Sequence, residues 1–256
     1  MLARNIKKKL ASGEPVFGGW MSLAHPSIGE IFAQAGFDWV LVETEHTAID
    51  NSQVLPILMA IEAGGAVPLV RLASVDPVQA KAMMDSGVGG IFVPLVNNRD
   101  DAELSVKMAK YPPQGIRGVG LARAHRYGVN FKEYIEHANE DSLVVVQIED
   151  IQAVECIDEI LSVEGVDVAY IGPYDLSMSM GLPGQLDHPE VKAAMDRILE
   201  SALKHGVAPG LHMLHPEQAK TNLQARLDEG YRFIAMGSDL VILQETMKEF
   251  RDLCPR

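Results

Sequence analysis

Residues 143–150, LVVVQIED, and 166–175, VDVAYIGPYD, decide how this chain folds. Each is an apolar run of strand type that closes in a polar turn carrying a carboxylate, Glu149 in the first and Asp175 in the second. Runs this apolar belong to parallel strands buried on both faces. Between them Ile151, Val154, Ile157, Ile160 and Leu161 recur at helical spacing, so one helix over 151–161 completes a βαβ unit and makes the strands parallel. Both carboxylates then leave the sheet at the same end. Neighbouring strands lie about 4.8 Å apart, close enough for side chains at their ends to meet on one small cation.

The same rhythm extends in both directions. Strands over 17–22 (FGGWMS), 39–43 (WVLVE), 67–72 and 91–96 precede this pair, and strands over 207–213 (VAPGLHM) and 233–236 follow it. Helical patterns over 27–35, 52–63, a segment opened by Asp76-Pro77, 99–110, 189–205, 217–229 and 240–253 separate them. The basic N-terminus reads as a short amphipathic lead-in helix. Only 111–130, YPPQGIRGVGLARAHRYGVN, breaks the rhythm, and an irregular loop of that length marks function or an interface. Eight strands alternating with eight helices predict α/β architecture, a single (β/α)8 TIM-barrel domain over 1–256, with an open doubly wound sheet as the alternative. The dinucleotide fingerprint G-x-G-x-x-G and the P-loop are both missing.

Composition narrows the partners. The 256 residues are 47% hydrophobic, enough for a substantial core, and carry a formal charge of −13, which opposes binding to nucleic acid or an anionic membrane. Cys156 and Cys254 are too few for a disulfide scaffold or a cysteine-rich metal site, so a reducing cytoplasm is the expected compartment. No run approaches the roughly 18 apolar residues of a membrane span.

A TIM barrel carries its active site at the C-terminal mouth, so strand ends are the decisive positions. They hold Trp20 on strand one, His46 after strand two, Arg71 on strand three, Glu149 and Asp175 after five and six, and His212 on seven. Two carboxylates without a neighbouring Cys or His suit Mg²⁺ or Mn²⁺ better than a closed zinc site. Read singly, Glu149-Asp150 and Asp175 would merely cap the helices that follow them. Gln147 tips the pair toward a site, because it faces the barrel interior beside Glu149 and glutamine suits a dry core poorly. An arginine closing the run VPLVRL needs a buried partner if its role is only structural. The turn Gly172-Pro173-Tyr174-Asp175 can offer backbone N–H groups to an anion. Together these groups suit a small 2-oxo acid: the ion acts as Lewis acid, Arg71 stabilises oxyanion charge and His46 moves protons. His25, His125, His188, His205 and His215 have no such positions and read as surface or loop residues.

At this point the chain resembles a known family. GGWMS, FDWVLVETEHTAID, PLVRL, MMDSGVGGIFVPLVNN, YPPQGIRGVG, VQIED and YIGPYDLSMSMGLPG, in this order and spacing, are similar to the HpcH/HpaI aldolases, the class II metal-dependent 2-oxo-acid aldolases. The resemblance covers nearly the whole chain. It implies Glu149 and Asp175 as ligands of a divalent ion (Mg²⁺, Mn²⁺ or Co²⁺), and Trp20, Gln147, Gly172, Pro173, Tyr174 and Asp175 around bound pyruvate. It also implies His46 as acid–base residue, Arg71 as the transition-state arginine and Asp85 as the aspartate that raises the basicity of that histidine. By topology Asp85 belongs at the opposite end of the barrel, so a partner subunit supplies it or its role is structural. Characterised members read D-x-E-H before the histidine, often D-G-E-H, whereas this chain reads Glu43-Thr44-Glu45-His46. The resemblance further implies a homo-hexamer, with the closing helix from Leu240 in subunit contacts.

The expected activity is reversible cleavage of a 4-hydroxy-2-oxo acid to pyruvate and an aldehyde through an enolate held at the metal. No predicted strand offers an interior lysine for a Schiff base. The alternatives are an oxaloacetate decarboxylase, an acyl-CoA lyase, for which Arg117, Arg123 and Arg126 are the only basic cluster, or a non-catalytic barrel that binds 2-oxo acids.

Overall fold

The computed structural model describes residues 3–255. Eight strands, β1 (Val16–Met21), β2 (Trp39–Glu43), β3 (Val67–Arg71), β4 (Gly90–Val93), β5 (Leu143–Ile148), β6 (Val168–Ile171), β7 (Ala208–Met213) and β8 (Phe233–Ser238), close into a parallel barrel in chain order. The helix α1 (Ala3–Ala11) precedes β1. After strands one to four come α2 (Pro26–Gln34), α3 (Asn51–Ala63), α4 (Pro77–Ser86) and α5 (Arg99–Ala109). Then α6 (Phe131–Asp141) leads into β5, and α7 (Ile151–Glu155) and α8 (Ile157–Leu161) join β5 to β6. The chain continues through α9 (Pro173–Ser179) and α10 (Pro189–His205) to β7, through α11 (Pro216–Glu229) to β8, and ends in α12 (Asp239–Asp252). This is the TIM barrel that the alternation predicts.

Side chains alternate across the barrel wall because strand residues point to opposite faces in turn. Val40, Val42, Val144, Val146 and Ile148 face the helices, in one core layer. Trp39, Leu41, Leu69, Phe92, Val145, Tyr170 and Phe233 fill the interior. Aromatic rings dominate that filling: Trp39 stacks on Phe233 with centroids 4.3 Å apart, and Phe92 meets Tyr170 edge-on at 4.8 Å. Small residues make the room, since a Cβ on Gly18 would lie 2.0 Å from the Trp39 ring.

The floor is closed by α1, which buries Ala3 and Ile6 and fastens its cations to acids at the N-terminal ends of strands. Arg4 Nε meets Asp141 at 2.5 Å, Lys7 Nζ meets Asp167 at 3.0 Å, and Lys9 Nζ meets Asp38 at 2.6 Å.

Three expectations need correction. The helix over 151–161 is two five-residue helices broken at Cys156, whose Sγ sits 3.1 Å from the Asn97 carbonyl. The run 91–96 leaves the sheet after Val93, and Leu95 turns into the left-handed region at φ +51. Two helices were not anticipated, the short α9 and the longer α6. Phe131, Tyr134, Ile135 and Ala138 give α6 its helical spacing, but only Ala138 is buried, so its apolar stripe is thin.

Candidate active site

A cavity of about 800 Å³ opens at the C-terminal mouth, lined among others by Trp20, His46, Arg71, Gln147, Gly172 to Asp175 and His212. Of the strand-end residues expected from the sequence, all but Glu149 line it, each delivered by the last residues of a strand or the first turn after it.

Arg71 has the buried partner that a structural arginine requires. Glu43 ends β2 directly beside Arg71 at the end of β3, their Cα atoms in register. Its Oε2 accepts from Arg71 Nε at 2.6 Å and lies 2.5 Å from Nη2, and it also accepts from Trp20 Nε1 at 3.0 Å. Its Oε1 accepts from the backbone N–H groups of Glu45 and His46 at 2.6 and 3.1 Å. Arg71 Nη1 reaches Glu45 Oε2 at 3.0 Å and donates to Gln147 Oε1 at 3.4 Å. The guanidinium also lies 4.9 Å from the Trp20 ring centroid, a cation–π distance.

Gln147 hands the network on to Glu149. Its oxygen faces Arg71 and its amide Nε2 donates to Glu149 Oε2, so the amide orientation follows from its two neighbours. Glu149 Oε1 accepts from the Leu95 N–H at 2.9 Å. The left-handed turn at Leu95, a conformation costing roughly 1–2 kcal/mol in a non-glycine residue, includes the residue whose N–H meets this carboxylate. Burial pushes the Glu149 carboxyl above the usual range, with the charge of Asp175 a smaller contribution in the same direction.

The chemistry of the Glu149–Asp175 pair suits a divalent ion. A carboxylate only 3% exposed with a raised pKa gains from a nearby cation. Gly172 has no side chain because a Cβ there would lie 2.7 Å from both Cβ and Oε2 of Glu149. Asp175, in the first turn of α9, is exposed on the cavity wall. No cluster of three or more His, Cys, Asp or Glu side chains suited to a metal occurs among the described residues. One buried carboxylate and one exposed on the cavity wall suit an ion of the Mg²⁺ type, which keeps waters or substrate oxygens in its remaining positions.

His46 stands at the rim with its side chain 63% exposed, its Nε2 3.8 Å from Glu45 Oε2. Its own chain does not bring Asp85 to it. Asp85 lies in the last turn of α4, at the floor end of the barrel, where Oδ1 accepts from Arg117 Nη2 at 2.8 Å. Arg117 is also bonded to Tyr134 at 2.9 Å, and Arg123 donates to the Ser86 carbonyl at 3.0 Å. Neither these arginines nor Arg126 lines the cavity, so the basic patch for a CoA ester is not at the mouth.

Sequence reasoning missed two members. Glu43 and Glu45 flank the histidine in the motif itself, and their acidic spacing beside an arginine-bearing strand was the signal available. Glu45 is pushed up to about 7, chiefly by burial, although Arg71 opposes the shift, and its Oε2 has no aligned hydrogen bond despite the 3.0 Å ion pair. His212, expected at the mouth but given no role, stacks on Trp20 at 5.0 Å and is pushed down to about 4 by burial. It is therefore neutral at pH 7, and its Nε2 lies 3.1 Å from the Gly237 carbonyl, which can only accept. His125, read as a surface or loop residue, does belong to the irregular loop but is only 1% exposed, and it ties that loop together through Gly120 O and Gly128 N.

The family model described as HpcH/HpaI aldolase/citrate lyase matches residues 17–245. A 4-hydroxy-2-oxo-heptane-1,7-dioate aldolase of Shigella sonnei is 40% identical over 244 residues, which covers 94% of this chain and 91% of that protein. Among solved structures, an HpcH/HpaI aldolase/citrate lyase family protein from Burkholderia cenocepacia superposes with a TM-score of 0.90 at 32% identity, covering 98% of this chain and 99% of that one. The citrate synthase SbnG superposes at 0.85 with 30% identity, covering 96% of each chain. With the barrel, the mouth and a match over most of its length in agreement, this chain belongs to the HpcH/HpaI aldolase/citrate lyase family.

Proposed function

We propose that the protein is a carbon–carbon lyase, a divalent-metal aldolase that reversibly cleaves a 4-hydroxy-2-oxo acid to pyruvate and an aldehyde. The observation that carries this reading is the unbroken chain of contacts Glu43–Arg71–Gln147–Glu149 beside the mouth cavity, of which Arg71 and Gln147 line the cavity together with His46. Glu149 and Asp175 would hold the ion, which supplies Lewis acidity toward the oxygens of a 2-oxo acid when bound.

The chain's own groups divide the remaining work. Arg71 keeps its Nη1 edge toward Gln147 and the cavity, a fixed positive charge for the oxygen on which negative charge grows. In the cleavage direction the C4 hydroxyl gives up its proton to a base assisted by His46, C4 becomes the aldehyde carbonyl as the C3–C4 bond breaks, and C3 of the enolate left behind takes up a proton to give pyruvate. His46, exposed at the rim, exchanges that proton with solvent. Trp20 and His212 form a flat neutral wall beside the arginine. None of the described strands carries a lysine, and Lys192 of α10 on the cavity wall is paired with Asp187 at 2.8 Å, which supports a mechanism without a Schiff base.

The acyl-CoA alternative loses its basic patch, since Arg117 and Arg123 are committed at the other end of the barrel. We further place the protein in the cytoplasm as a homo-oligomer. None of the described helices is long and apolar enough to cross a membrane, and exposed apolar side chains on α12 call for a partner.

The test is NMR of pyruvate in D₂O, following loss of the methyl protons with the metal-stripped protein and after addition of Mg²⁺, Mn²⁺ or Co²⁺. Metal-dependent exchange that disappears in Glu149→Ala is the expected result. Exchange that is absent with every metal, despite pyruvate binding, moves the reading to a binding protein.

A further inference from the structure

β8 carries one residue more than β1 can pair. Gly18 pairs with Ala235 and Trp20 with Ser238, so two steps along β1 answer three along β8, and the resulting bulge contains Gly237 at φ +74. This bulge lies against His212, whose Nε2 is 3.1 Å from the Gly237 carbonyl. A carbonyl only accepts, so the proton of the neutral ring sits on Nε2 and Nδ1 is left as a bare lone pair. Burial keeps the ring neutral, and stacking on Trp20, with 22° between the planes, fixes its orientation. Nδ1 has no hydrogen-bond partner among the described residues and is not sealed from solvent, so it opens on the cavity that the ring lines.

An acceptor held in this way calls for a donor on the ligand. The closed strand order sets it across the mouth from Arg71 on β3 and from His46 after β2, the groups that face the C4 oxygen. Glu149 and Asp175, after β5 and β6, serve the 2-oxo acid. The wall left for the aldehyde half is that of β7, β8 and β1, where His212 stands with Ser238, Ser22 and Trp20. A carboxylate brings acceptors only and cannot pair with Nδ1, an alkyl group leaves it bare, and a hydroxyl supplies the O–H that it lacks.

We propose that His212 is the specificity-determining residue for the aldehyde, its Nδ1 accepting the O–H of a hydroxyl on the carbon next to the aldehyde carbon, C5 of the aldol. The substrate class is then a 4,5-dihydroxy-2-oxo acid, cleaved to pyruvate and a 2-hydroxyaldehyde. The inference rests on the aldolase reading above and names the aldehyde for it.

The test compares glycolaldehyde with acetaldehyde, which differ by that hydroxyl alone, as partners of pyruvate in the metal-loaded full chain. His212→Gln keeps an N–H for Gly237 and loses the acceptor at the δ position. Its ratio of kcat/KM for glycolaldehyde over acetaldehyde should fall about three- to tenfold below that of the wild type, the worth of one neutral hydrogen bond. In His212→Asn the side-chain oxygen takes the place of Nδ1, so its ratio should stay nearer to the wild type than that of His212→Gln. If His212→Gln fails to fold by circular dichroism, His212→Leu, which also lacks the acceptor, replaces it. A second readout needs no turnover. In ¹⁵N spectra of histidine-labelled protein the signal lost in the variant identifies His212, and at pH 7 its δ nitrogen should be unprotonated and its ε nitrogen protonated.

A ratio that falls by less than about threefold in His212→Gln, an equal loss in His212→Asn, or a proton on Nδ1 each overturns the proposal. Pyruvate proton exchange without condensation with either aldehyde overturns this inference alone. No exchange with any metal overturns the aldolase reading, and this inference with it.

Discussion

Gly172 shows how much of the site rests on the absence of one carbon. Its φ of −98 and ψ of 82 make no special demand for glycine, so the constraint comes from Glu149, whose Cβ and Oε2 would each lie 2.7 Å from an added Cβ. Gly172→Ala should therefore fold and push the carboxylate away from the Leu95 N–H and the Gln147 amide. Supporting groups of this kind change metal affinity by about ten- to a hundredfold, so Mn²⁺ binding measured by calorimetry should weaken to that extent. Unchanged affinity would mean that the Glu149 carboxylate is not a ligand in this position. His212 makes a second claim at the same scale. Burial holds its folded pKa at about 4 against an ordinary value of 6.5, so between these values the unfolded chain binds more protons than the folded one. Stability contributed this way is complete above pH 6.5 and is lost as pH falls through about 4. The urea midpoint of the wild type should thus fall more steeply than that of His212→Gln from pH 7 to pH 4.5, and parallel curves would refute it.

At the level of elements, α1 is a plug fastened by charge. Asp167 links it to the barrel: Oδ1 meets Lys7 at 3.0 Å, while Oδ2 accepts from the Val144 N–H at 2.8 Å. Burial pushes the Asp167 carboxyl up, with Lys7 opposing the shift, so the lysine keeps an otherwise costly charge in place. Asp167→Ala leaves a strand N–H and an ammonium without their acceptor and should cost about 2 kcal/mol, discounted because both side chains touch solvent. Chemical denaturation measures it, and a loss below about 0.5 kcal/mol would make the contact an ordinary surface pair. The strands were legible because their apolar runs are unbroken and bounded by glycine, proline or charge. The break at Cys156 was not, since helical periodicity continues across it and only the packing of Sγ against the Asn97 carbonyl marks the place. In the site, strand-end positions named Arg71, Gln147 and Glu149 correctly as neighbours. Glu43 stayed hidden because a carboxylate at the end of an apolar strand looks the same in sequence whether it faces solvent or an arginine one strand away.

The whole molecule carries two features that a lone barrel does not explain. On α12, Leu240, Leu243, Met247 and Phe250 are exposed, as is Leu253 just after it, and the loop over 111–130 exposes Ile116, Val119, Leu121, Tyr127 and Val129. Apolar surface on this scale marks protein contacts. The second feature is Asp85, clamped under that loop by Arg117, whose side chain is fully buried, while the aspartate remains 27% exposed. The resemblance pairs Asp85 with His46, and the fold puts them at opposite ends of one barrel, so only a neighbouring subunit can join them. Complementation tests this directly. His46→Ala and Asp85→Ala, each inactive alone as a homo-oligomer, are co-expressed with different tags and purified through both. If the site is shared, a random mixed assembly regains about a quarter of wild-type activity, because half its sites have the histidine and half of those meet an intact aspartate. Met247→Glu with Phe250→Glu should remove the gain if α12 is the contact, with a smaller species in sedimentation and unchanged barrel circular dichroism. An active Asp85→Ala homo-oligomer would make Asp85 structural, and mixed assemblies that stay inactive would exclude the shared site.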